Sequence, residues 1–250
     1  MKTILSLLVL LSVSACLAST NDCKQPLDAQ TLNQLSLGWD DVQLHPGESR
    51  QFSLVILSTF TPSQQVPACA TWKVEPEGKG AAINPAGLLA VDSKVPPRSR
   101  FVVTADIEQG RTQRQIGVVV YTADDQPLVG FWRQKSRFEC LTQKETTSAQ
   151  PIQELEFRAK GWFSVTWVPF ETYRDYWGSY TADNSSRALS LKIDGGNYVP
   201  ADFQGTGKFK LTDKNTLELT GVYLGEKKTS GDQRTPQASG RCQYIFTRIP

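Results

Sequence analysis

From Gly130 onward, long and short connections between strand-like segments alternate strictly, and this alternation constrains the fold more than any other feature of the chain. Eight segments read as strands: Gly130–Cys140, Ile152–Ala159, Trp162–Val168, Tyr176–Ala182, Leu189–Ile193, Gly205–Leu211, Thr216–Leu224 and Arg241–Ile249. The connections 141–151, 169–175, 194–204 and 225–240 are each longer than their neighbours 160–161, 183–188 and 212–215. An up-and-down antiparallel meander puts alternate connections at opposite ends, so all the longer loops fall at one end. Eight strands suit a closed barrel, which leaves no exposed sheet edge. Within the segments apolar and polar residues alternate. The second puts Leu155, Phe157 and Ala159 on one face and Glu154, Glu156 and Arg158 on the other. The first sets Trp132 and Phe138 against Arg133, Lys135, Arg137 and Glu139. Such a period predicts one dry and one wet face.

The preceding part, from about Leu35 to Tyr121, is also all-β. Candidate strands are Gln51–Leu57, Ala70–Glu75, Leu88–Val91, Phe101–Ile107 and Gln115–Tyr121, separated by turn signals such as His45-Pro46-Gly47 and Asn84-Pro85-Ala86-Gly87. Short strands at this spacing predict a β-sandwich. Thr71-Trp72-Lys73-Val74, Ala82-Ile83-Asn84, Gly87-Leu88-Leu89-Ala90, Phe101-Val102-Val103-Thr104-Ala105 and Gly117-Val118-Val119-Val120 follow in an order and spacing that resemble a bacterial Ig-like domain of the group 2, invasin-like kind. The resemblance implies a spacer or adhesion module. Trp72 is expected in the core of the sandwich rather than at a ligand.

The charge is nearly balanced, 27 basic against 25 acidic residues, with no basic tract, which excludes nucleic acid as an expected partner. Of five cysteines, Cys23, Cys69, Cys140 and Cys242 form an even set once Cys16 is set aside, and four cysteines allow three pairings. They lack the close spacing of a zinc site, and His45 is the single histidine, so neither a metal nor another cofactor is expected. The expected pairing, one bond per domain, is Cys23–Cys69 and Cys140–Cys242. If Cys140 opposes Cys242 on antiparallel first and last strands, Trp132 falls diagonally near Arg248, two residues off and on the same face. Gly130-Phe131-Trp132 resembles the Gly-x-Trp of lipocalins and their calycin relatives. That resemblance implies that an arginine of the last strand, here Arg248, packs across Trp132 at the closed end of the barrel.

At the N-terminus, Lys2 precedes an apolar run from Ile4 to Val13, too short to span a bilayer and suited to an export signal. Val13-Ser14-Ala15-Cys16 resembles the lipobox of bacterial lipoproteins, which implies cleavage before Cys16 and acylation of its sulfur; cleavage after Ala18 is the alternative. By the same resemblance, Leu17 rather than Asp after the cysteine implies the outer membrane. The expected organisation is a signal peptide at 1–15, a lipidated tether at 16–34, an Ig-like sandwich at 35–125 and a lipocalin-like barrel at 126–250.

The long loops would ring the open end of the barrel, where ligands commonly bind. Two of them are rich in aromatics: Trp167, Phe170, Tyr173, Tyr176 and Trp177 in one, Tyr198 and Phe203 in the other, interleaved with Glu171, Asp175 and Asp202. Such a set suits an amphipathic ligand, a glycan or a peptide. Alternatively the rings fold inward and plug the barrel, since eight strands leave room for little more than side chains. On an alternative, enzymatic reading, Glu171 and Asp175, with Asp202 across the mouth, supply a carboxylate pair for acid–base hydrolysis of a glycoside. Solvated loop charges beside Arg174 explain them as well, and no Ser or Cys nucleophile motif accompanies them, so the chain reads as a binding protein and not an enzyme. Asn184-Ser185-Ser186 reads as turn chemistry. The expected function is a lipid-anchored envelope protein whose stalk presents a ligand-binding barrel. The alternative is an interaction or assembly factor with a filled barrel docking on another envelope protein. An accessible cavity separates the first from the second.

Overall fold

Period-two burial dominates both halves of the chain. The computed structural model describes residues 26–58, 61–138, 144–146, 150–170, 173–226 and 242–249. The first half holds α1 (Ala29–Gln34), β1 (Leu35–Ser36), β2 (Val42–Leu44), β3 (Ser49–Gln51), β4 (Val55–Ile56), β5 (Gln64–Gln65), β6 (Ala70–Glu75), β7 (Ala81–Ile83), β8 (Leu88–Val91), β9 (Arg100–Ile107) and β10 (Thr112–Val120). In β9, Phe101, Val103, Ala105 and Ile107 alternate inward and are almost fully buried. The sheet β2-β10-β9-β6 faces two smaller sheets, β3-β8-β7 and β1-β4-β5, as a sandwich. Trp72 is half-buried against Phe52, with ring centroids 6.5 Å apart. Gly87, at φ +82°, lets the turn pass under that ring; a Cβ there would sit 2.9 Å from both the indole and the Phe52 carbonyl.

The segment expected to be only a tether ends in α1. Asp28 caps it, its side chain accepting the Thr31 N–H at 2.8 Å. Its last carbonyls are met by Arg114 of β10, which donates to Leu32 O at 2.7 Å and Leu35 O at 2.6 Å.

The second half holds β11 (Gly130–Phe138), β12 (Glu145–Thr146), β13 (Glu154–Arg158), β14 (Trp162–Thr166), β15 (Tyr176–Asp183), β16 (Ala188–Gly196), β17 (Thr206–Asp213), β18 (Thr216–Thr220) and β19 (Gln243–Ile249). All pairings are antiparallel and sequential, and β19 returns to pair with β11, so eight strands close into a ring. The short pair β12 adds to the edge of β11 within the first long connection. The expected all-β architecture, a sandwich followed by an eight-stranded antiparallel barrel, is the observed one.

Closure brings Trp132 and Arg248 together in a register that differs from the expected one. They are directly opposed, not diagonal, and the Arg248 guanidinium lies 4.1 Å above the indole centroid. A β-bulge between Gln134 and Ser136 accounts for one residue of that two-residue difference, because the extra residue shifts the later pairs of the two strands by one; even beyond the bulge, where Phe138 opposes Gln243, the register is one residue off direct opposition of Cys140 and Cys242. Gly130, at φ +130°, is required here: a Cβ would collide with Arg248 Nη1. The guanidinium then donates to Val129 O at 2.7 Å and Pro127 O at 3.0 Å, tying the strand entry to the last strand.

The bulge also corrects the wet face of the first strand. Arg137 opposes Tyr244, a buried core residue, and so points into the barrel instead of outward. The wet face of β13 is corrected as well, since Glu156 is buried. Its cover consists of Arg158, Arg174 and Trp162, with Asp40 reaching across from the sandwich. The closed end sits on the sandwich through Val119, Val129, Ala159 and Tyr121 and through Lys160 Nζ to Asp41 at 3.3 Å. Gln43 accepts the Ala159 N–H, and Gln126 Nε2 donates to Ala159 O at 2.8 Å.

Candidate functional site at the open end of the barrel

Among the described residues, large side chains pack the barrel interior from its base toward its mouth. Trp132, Leu155, Phe157, Phe163, Phe209, Leu217 and Phe246 are at most 1% exposed. Four of the seven loop aromatics complete this packing. Trp167 lies 5.8 Å from Tyr176 and 5.9 Å from Tyr198, and Tyr176 lies 5.8 Å from Phe203, in tilted or edge-on geometry. These are plugging rings: Trp167 and Tyr176 belong to the core, and Tyr198 and Phe203 pack on it.

Hydrogen bonds hold the plug. Tyr176 OH donates to Leu224 O at 2.7 Å, Tyr198 OH to Glu226 O at 2.9 Å, and the Leu224 N–H donates to Tyr244 OH at 3.2 Å. The Tyr176 hydroxyl is pushed well above its ordinary pKa by burial first, then by Tyr244 and Asp175. Burial also raises Tyr244, and burial followed by Glu226 raises Tyr223 to about 12. These hydroxyls stay neutral across ordinary pH; that of Tyr176 donates to the Leu224 carbonyl and that of Tyr244 accepts from the Leu224 N–H.

Of the expected acid–base carboxylates, Asp175 is fully buried. It accepts the Trp167 N–H at 2.8 Å and the Tyr173 hydroxyl at 3.1 Å, which ties the two ends of the 167–175 loop together. Asp202 is half-buried and close enough to Tyr176 and Tyr223 to raise both. Glu171 lies outside the described residues, as do Cys16, Cys23 and Cys140. Trp177 points to the outer side of the barrel, where the ring packs against Gly195. Among the described residues no group of three His, Cys, Asp or Glu is placed to hold a metal ion.

The side chains the mouth leaves exposed are aliphatic as well as aromatic. Phe170 is 65% exposed, Val168 55% and Val199 48%. Their position follows from the plug. Trp167 and Tyr198 turn inward and pack on each other, while their chain neighbours Val168 and Val199 stay exposed.

Arg137 is a mouth residue that period-two reading assigned to solvent. It forms an ion pair with Glu226, lies among Tyr223 and Tyr244, and has a buried Nε with no hydrogen-bond partner among the described residues. Arg174 was seen only as a loop charge. It reaches down the outer wall to Glu156 at 3.6 Å and to Asp40 of the sandwich at 3.8 Å, with its guanidinium 5.1 Å from the Trp162 ring.

No protein-family model matches the chain, and no curated protein matches it. Among solved structures it is similar to a structural-genomics protein of unknown function from Bacteroides ovatus, with 11% identity and a TM-score of 0.28 over 85% of this chain and 90% of that one. Likeness at that level carries no argument about function.

Proposed function

We propose that this is an exported, lipid-anchored protein of the bacterial envelope in which the sandwich is a stalk and the barrel a docking head for another envelope protein. The observation that carries this reading is the inward packing of Trp167, Tyr176, Tyr198 and Phe203, which fills the mouth and leaves Val168, Phe170 and Val199 as an apolar rim. A filled barrel favours docking over enclosure of a small ligand, and clustered exposed apolar side chains mark contact surfaces more often than isolated ones do. The rim residues lie next to inward-packed rings, Val168 beside Trp167 and Val199 beside Tyr198, which suits a preformed interface.

Phe170→Asp and the pair Val168→Asp/Val199→Asp are expected to leave the melting temperature within a few degrees of wild type, because the removed groups are exposed. They are expected to abolish retention of the wild-type partner from envelope extracts. Retention that survives both variants sinks the docking reading.

Anchoring at Cys16, and the pairings Cys23–Cys69 and Cys140–Cys242, belong to the same proposal. Peptide mapping of the unreduced mature protein is expected to recover these two bonds and an acylated N-terminal Cys16, and Cys16→Ser is expected to release the protein from membranes. A mature protein beginning at Ser19, or a Cys69–Cys140 peptide, overturns this part.

A further inference from the structure

We propose that the cleft between the closed end of the barrel and the sandwich is a binding site for a small organic anion, a carboxylate or phosphate ester on an apolar body. This goes beyond docking at the rim and does not depend on it, since the cleft lies at the opposite end of the barrel.

The cleft has a volume of about 610 Å³, within the roughly 300–1,000 Å³ usual for small-molecule sites, which favour boundaries between packed units. On its sandwich side stand the rings of Tyr121 and His45, 4.3 Å apart, with His45 Nδ1 3.0 Å from Tyr121 O. Val129 and Leu211 add an apolar floor. The barrel side supplies cations from two tight turns, Arg187 between β15 and β16 and Lys214 between β17 and β18.

Charge accounting separates these two cations from their neighbours. Arg248, also on the cleft, is committed to Val129 O, Pro127 O, Lys214 O and the Trp132 ring. Asp213 is committed to the Asn215 N–H at 2.7 Å, and hydrogen bonds from Asn215 and Thr216 lower its pKa. Among the described residues, neither Arg187 nor Lys214 has an ion-pair partner.

Arg187 also sits at φ +60°, a left-handed position where Asn or Gly is ordinary and Arg is not. The turn is built to hold it there. Asp183 accepts from Ser185 N at 2.8 Å, from its hydroxyl at 2.6 Å and from the Ser186 hydroxyl at 2.8 Å, while the Arg187 guanidinium lies 5.8 Å from the Phe209 ring at the barrel base. The three cations of the cleft, Arg187, Lys214 and Arg248, outnumber its two carboxylates, Asp124 and Asp213, and together with the His45 and Tyr121 rings and the apolar floor they match an anion carried on an apolar body. They match neither a neutral ligand nor a bare ion, each of which would use half of the site.

Phenyl phosphate titrated calorimetrically into the mature protein is expected to bind saturably and more weakly as salt rises. Inorganic phosphate and phenol are each expected to bind at least tenfold more weakly. Arg187→Asn, which tolerates the left-handed backbone, and Lys214→Gln are each expected to weaken phenyl phosphate severalfold, and together more than tenfold, with the melting temperature unchanged. Phe170→Asp at the rim is expected to leave this binding intact, so failure of the docking reading and failure of this one are distinguishable. The proposal is overturned by an absence of saturable binding of phenyl phosphate and of benzoate, by equal binding of phenol, or by a folded double variant that binds as wild type does.

Discussion

Trp132→Ala is expected to lower the unfolding free energy of the barrel by about 3–5 kcal/mol, the range for truncating a fully buried large aromatic. Three separate losses contribute. The indole is 0% exposed, so its removal leaves a cavity at the base of the barrel. Its Nε1–H donates to Leu128 O at 2.7 Å, and that buried carbonyl would lose its partner. The Arg248 guanidinium, 4.1 Å above the ring, would lose the surface it lies on while still holding the carbonyls that join β19 to the entry of β11. Trp132→Phe restores most of the packing and not the hydrogen bond, so it should recover more than half of the loss. Urea unfolding of the three proteins measures this directly, and an alanine variant within about 1 kcal/mol of wild type would falsify the account of closure.

The ring of strands was legible because it rests on features a linear sequence carries: loop lengths, period-two alternation, and an index sum that any antiparallel pair must keep. Contact between Trp132 and Arg248 was legible for the same reason. What period two does not carry is a single inserted residue. The bulge near Lys135 leaves no composition signal, yet it turns Arg137 from solvent into the barrel mouth and shifts the register. Burial of Glu156 was illegible for a different reason. Its cover comes from Asp40, far away in the chain, and from Arg174 folding back along the outer wall, and local alternation registers neither. At the mouth, composition identified the aromatic loops but not their direction. Trp167 against Val168, and Tyr198 against Val199, are inward–outward pairs set by contact between the two loops, and the sequence of either loop alone is neutral between them. The helix Ala29–Gln34 had one local signal, Asp28 three residues before Thr31, but its C-terminus is closed by Arg114, 82 residues on from Leu32 in the chain.

The second large effect is expected at the outer wall. Glu156 has a side chain only 5% exposed, and Arg158 Nε lies 2.6 Å from its Oε1, while Arg174 is 3.6 Å from the other oxygen. Arg158 also pairs with Asp40 at 2.8 Å and stacks 5.1 Å from the Trp162 centroid. Arg158→Ala therefore leaves a buried carboxylate with one distant cation and strips the ring of a neighbour, which should cost about 3 kcal/mol or somewhat more. Asp40→Ala removes a partner whose side chain is 37% exposed, and water replaces it; the expected cost is below about 1 kcal/mol. The asymmetry predicts the sign of a double-mutant cycle. Glu156→Gln combined with Arg158→Ala should be more stable than Arg158→Ala alone, because the penalty lies in the unpaired charge and not in the missing contact. Unfolding measurements on Arg158→Ala, Asp40→Ala, Glu156→Gln and the double variant decide between this and a merely decorative surface cluster. In a decorative cluster Arg158→Ala would be as mild as Asp40→Ala, and adding Glu156→Gln would recover nothing.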